Sequence, residues 1–130
     1  MKSLFSILTL ITSFCFAGSI EPGKYTAIDV DSKSIIATLI VRADLTSNLM
    51  LKAPDFTMPE PGCNGVYNVV DNILKAEMIC PVQGLEKINV TIDITHVTPA
   101  EVRVEPGVVV DVVIDALGTE AYKFNLKKIE

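Results

Sequence analysis

From residue 23 onward, apolar and polar side chains alternate with a period of two, not 3.6. The clearest case is 87–95. There Ile88, Val90, Ile92 and Ile94 take one face, and Lys87, Asn89, Thr91, Asp93 and Thr95 take the other. This is the pattern of a strand with one buried face. Residues 24–30 predict an earlier strand, which ends at the polar turn 31–34. Residues 35–43 predict a second, almost wholly apolar one, and 48–53 a third that stops at Pro54. Near the C-terminus, 101–105 and 108–115 read as strands around Pro106-Gly107, a pair suited to a type II turn. Residues 121–127 make the last strand, with Tyr122, Phe124 and Leu126 facing inward.

Between these lies a hairpin with its own internal register. A two-residue turn at Asp71-Asn72 sets Val69 against Leu74, Tyr67 against Ala76, Gly65 against Met78 and Cys63 against Cys80. Counted from the turn, the cysteines form a non-hydrogen-bonded pair, with Cα atoms about 4.5 Å apart and within disulfide reach. Eight or nine short strands with short connections, and no helix long enough to cover a sheet, predict an all-β fold. Neighbours in sequence look like hairpin partners. The expected architecture is therefore an antiparallel up-and-down meander of about eight strands closing into a barrel, with a β-sandwich as the alternative.

Residues 1–17 read as an export signal: Lys2 at the start, an apolar run over 4–16, and Ala17 before Gly18. The run is too short to span a membrane. Removing 17 of the 130 residues leaves one domain of 113, at 18–130. Cys15 leaves with the signal, so the remaining even pair of cysteines is expected to bond in an oxidising compartment, secreted or periplasmic. Loss of Lys2 takes the net charge from −5 to −6. That balance argues against nucleic acid or an anionic membrane as partner.

Catalytic chemistry finds little support. His96 is the one histidine, and no Gly-x-Ser-x-Gly surrounds a serine. Zinc would need three or four ligands at set spacing. Asp29-Val30-Asp31-Ser32-Lys33 begins like a calcium loop, but Ser34 and Ile40 stand where glycine and glutamate belong. A polar turn is the better reading there. The expectation is thus a protein that is not an enzyme and carries no cofactor or metal. Asn89-Val90-Thr91 is a glycosylation sequon, but one set within a strand.

Residues 54–61 carry three prolines and cannot be a central strand or a helix. Phe56 and Met58 within them are candidate partner contacts, or else a plug over a barrel end. Gly23-Lys24-Tyr25, opening the first strand, resembles the Gly-x-Trp that opens lipocalins. With the signal, the strand count and one disulfide, the chain resembles small lipocalin-like (calycin) barrels. Gly62-Cys63-Asn64-Gly65 is similar to small secreted lipoprotein-type β domains. The resemblance to lipocalins implies non-catalytic binding of a small apolar ligand inside the barrel. Tyr25, Leu51, Tyr67, Met78, Tyr122 and Phe124 are the candidate lining. The alternative is a protein-interaction module, an inhibitor or envelope adaptor, acting through the 54–61 loop or a strand edge.

Overall fold

The computed structural model describes residues 18–130; the expected export signal lies outside them. Nine strands form: β1 (Gly23–Asp29), β2 (Ile36–Val41), β3 (Thr46–Ala53), β4 (Phe56–Thr57), β5 (Cys63–Val70), β6 (Ile73–Ile79), β7 (Lys87–Asp93), β8 (Val108–Ile114) and β9 (Tyr122–Lys128). Eight of them run as an antiparallel meander, and the β2–β3 pairing shuts the sheet on itself. The fold is a closed eight-stranded barrel, with β4 as a two-residue appendage on β3.

Pairing is uneven around the ring. Most neighbours share five to seven paired residues, but β3–β5 share four and β7–β8 three. Two arcs therefore meet at narrow seams: β8-β9-β1-β2-β3 and β5-β6-β7. This explains why a strand pattern alone left both barrel and sandwich open. The two differ in whether those seams hydrogen-bond, and both put alternate residues inside.

The 63–80 hairpin forms in the expected register, with Val69 opposite Leu74, Tyr67 opposite Ala76 and Gly65 opposite Met78. Asp71 and Asn72 both have positive φ, 53° and 64°, as a two-residue type I′ turn requires. Asp and Asn tolerate that region because their short polar side chains bond locally. The Asn72 side-chain oxygen also makes a long-range bond, accepting from the Gly18 amide at 3.1 Å. Cys63 and Cys80 are disulfide-bonded across the strands, with Cα atoms 4.1 Å apart.

The alternating positions of β7 are buried as the pattern predicts: Ile88, Val90, Ile92, and Ile94 just beyond it. Phe124 and Leu126 of β9 are also buried, and Tyr122 is half-buried at the strand's start. One expected strand does not form. Glu101–Arg103 is a single 3-10 turn, with the Glu101 amide bonded to Thr98 Oγ1 at 3.2 Å. Only Val102 of that segment is buried, so no alternating face exists to hold it in a sheet. The turn that follows also differs from the expected one. The Gly107 amide bonds the Val104 carbonyl at 2.7 Å, which puts Pro106 third in the turn, after a cis Glu105–Pro106 peptide.

Candidate functional site

The barrel interior is the first place a ligand would sit. Tyr25, Leu51, Met78 and Phe124 all point into it and are buried. They meet as packed core rather than as the wall of a chamber. The interior void, lined by Leu39, Val90, Val112, Phe124 and Leu126 among others, is about 20 Å³. That is room for about one water, and the lining offers no polar atom to hold one. Pockets that take drug-sized molecules run from roughly 300 Å³ upward. Buried side chains, mostly branched aliphatics from β2, β3, β6, β7, β8 and β9 together with Tyr25 of β1 and Phe124 of β9, fill the ring, as an eight-stranded barrel permits.

The tyrosines do structural work at the end where β1 begins and β2 ends. Tyr25 is fully buried, and its hydroxyl donates to the Glu21 carbonyl at 2.5 Å. Burial pushes its pKa up to about 12, with the nearby Glu21 carboxylate adding to the shift. Tyr67 is half-buried and donates to the Arg42 carbonyl at 2.9 Å. Both hydroxyls satisfy backbone carbonyls just outside the strands and tie down that end of the barrel. Tyr122 stands edge-on to Phe124, with ring centroids 6.3 Å apart. The six candidate lining residues are thus spread over both ends and the middle of a solid core.

The 54–61 segment folds as a flap. β4 pairs back on β3, Lys52 with Thr57 and Ala53 with Phe56, and the Met58 amide bonds the Leu51 carbonyl at 2.9 Å. Asn48 staples the flap's far end, donating to the Pro61 carbonyl at 2.8 Å and to Asn64 Oδ1 at 3.0 Å. Met58 is only 4 % exposed, with its sulfur 3.2 Å from Cys63 Sγ. It packs against the disulfide. Phe56 is half-buried and packs on the core.

The titratable groups sit in structural roles. The Asp29 carboxylate accepts from the Asp31 and Ser32 amides at 3.2 and 3.4 Å, and from the Ser32 hydroxyl. The Ser32 hydroxyl bond is the main cause that holds its pKa below the usual carboxylate value. The five-residue run is therefore a turn organised by one aspartate. Asp115 accepts from the Asn89 amide at 3.0 Å and from its side chain at 2.8 Å, which lowers the Asp115 pKa and occupies the sequon asparagine. His96 is exposed at the strand end. Among the described residues, no group of three His, Cys, Asp or Glu is placed to hold a metal.

The feature that the sequence reading missed lies outside the barrel. Ile28, Val30, Val109 and Pro106 line a groove of about 330 Å³ between the β1–β2 turn and the turn before β8, together with Asp29, Lys33 and Asn125. The signal was present but easily overlooked. In 27–30 and in 35–41, aliphatic residues occupy both faces of the strand, where one face should be polar.

No family model, no curated protein and no solved structure matches this chain. The eight-stranded closed meander is compatible with a lipocalin-like fold on its own geometry.

Proposed function

We propose that the protein is an exported, non-catalytic binding protein on a lipocalin-like barrel, which engages another protein through its outer surface. The filled interior carries this reading. A void of about 20 Å³ leaves no place for an apolar cargo, so recognition falls to the outside. Export is supported by the character of residues 1–17 and by a disulfide buried in the fold. The acidic balance of the chain keeps nucleic acid and anionic membrane surfaces out of the proposed partner set.

The test is native mass spectrometry of the protein purified from its own compartment. The expected result is a processed chain that travels with a second polypeptide. After unfolding, reductant adds about 2 Da, one hydrogen per disulfide sulfur. A chain that carries a small apolar molecule and no polypeptide would move the function to carriage and refute the surface reading.

A further inference from the structure

The disulfide lies beside a part of the chain that is lightly fastened. Cys63 is fully buried and Cys80 is 5 % exposed, so a thiol in solution has little access to either sulfur. On the Cys63 side the neighbour is the flap, through Met58, whose sulfur is 3.2 Å from Cys63 Sγ. The Cys80 side is tied differently. The Cys80 amide donates to the Glu86 carbonyl at 2.7 Å, and Val82 of the connection to β7 packs on the core.

The flap has few holds. Within 54–61 Met58 is buried and Phe56 half-buried, and the other six residues are exposed. Its backbone is tied to β3 by the two-residue β4 pairing and by the Met58 amide. Its far end is tied by the Asn48 side chain on the Pro61 carbonyl. The strands beneath have partners of their own: β3 pairs with β2 along six residues, and β5 with β6 along seven. A segment with so few buried contacts opens at a lower free energy than the barrel it lies on.

We propose that the flap is a gate on the disulfide: lifting of 54–61, with the barrel still folded, admits a dithiol reductant to Cys63. The reductant's thiolate bonds to Cys63 Sγ, the S–S bond breaks, and Cys80 Sγ leaves with the electron pair. The second thiol of the reductant then attacks the mixed disulfide, closes the reductant's own disulfide and frees Cys63. The two protons given up by the dithiol end on the two cysteines. Without a gate, reduction would wait for global unfolding, and any destabilising substitution would speed it alike. Nothing in this gate depends on the partner surface proposed above.

The experiment follows reduction of the folded protein by dithiothreitol without denaturant, with free thiols alkylated at intervals and counted by mass spectrometry. Met58→Ala uncovers Cys63, and Asn48→Ala removes the far fastening. Ile92→Ala is the control. It empties a buried site opposite Leu74, at the other end of β6 from Cys80, and belongs to the same cost class as Met→Ala. Met58→Ala and Asn48→Ala should each speed reduction about tenfold or more, as losses of buried contacts or hydrogen bonds shift an opening equilibrium. Ile92→Ala should stay within about twofold of wild type, because it leaves the local opening untouched. Brief exposure to glutathione, quenched in acid, should trap the mixed disulfide on Cys63. Equal acceleration by Ile92→Ala and Met58→Ala would mean that exchange follows global unfolding, and the gate would be refuted. Either flap variant reducing at the wild-type rate, or a mixed disulfide on Cys80, would overturn it as well. Should Met58→Ala fail to fold, Asn48→Ala carries the same comparison alone.

Discussion

Phe124→Ala tests the solid interior directly. Phe124 is 1 % exposed and borders the small interior void, beside Tyr122. An aromatic side chain of this kind buries about 150–250 Å², and apolar area is worth about 25 cal/mol per Å². The ring is thus worth about 4–6 kcal/mol, of which the alanine methyl keeps a part. Substitutions of this type cost about 3–5 kcal/mol, and the lost edge-on contact with Tyr122 belongs to that cost. Against about 5–15 kcal/mol for a domain, the variant stays folded but marginal. Urea unfolding followed by circular dichroism should show a lower midpoint with an unchanged slope. The ring's departure also joins the existing void to new apolar space. Benzene or xenon should then bind the variant, and at a hundredfold excess over Kd restore about 2.7 kcal/mol. Wild-type protein should bind neither. Saturable benzene binding by the wild type, or a loss below about 1 kcal/mol in the variant, would refute the filled interior and return the barrel to the carriers.

Three further outcomes are expected. Joint Cys63→Ala and Cys80→Ala should cost about 3 kcal/mol, the loop-closure entropy for a separation of 17 residues, read as a lower urea midpoint. In Gly65→Ala the new methyl would lie 1.8 Å from the Glu77 carbonyl oxygen, so the β5–β6 ladder must shift. Its thermal unfolding should register roughly 3 kcal/mol or more, whereas Gly84→Ala, with open space but a φ of 88°, should cost only about 1–2 kcal/mol. Asp29 has a pKa lowered by its turn, so its stabilisation is fully present above the unfolded value of about 3.9 and is lost as pH falls through the folded one. Stability measured from pH 6 to 2 should therefore fall less steeply in Asp29→Ala than in wild type.

Much of the fold was legible because a strand's period is two and a turn has demands of its own. Asp71-Asn72, and the pairing counted outward from it, placed Cys63 against Cys80 without any long-range information. The isoleucines and valine at 88–94 declared their face by alternation alone. Legibility failed where local pattern and context part. Residues 101–105 look strand-like in composition, yet only Val102 finds a core to enter. Met58 sits among prolines and acids, the surroundings of an exposed loop, and is nonetheless drawn in beside the disulfide.

The chain by itself determined that it is a β protein, where most strands lie, and which cysteines meet. Those are matters of local period and spacing. Closure was decided only in three dimensions, because it depends on β2 meeting β3 and on two short seams between arcs. The fate of the interior was decided there too. Whether eight strands enclose a chamber depends on the summed volume of side chains from all of them, which no single strand reveals. The outer groove followed for the same reason: Ile28, Val109 and Asn125 are brought into one surface only when the register aligns β1, β8 and β9.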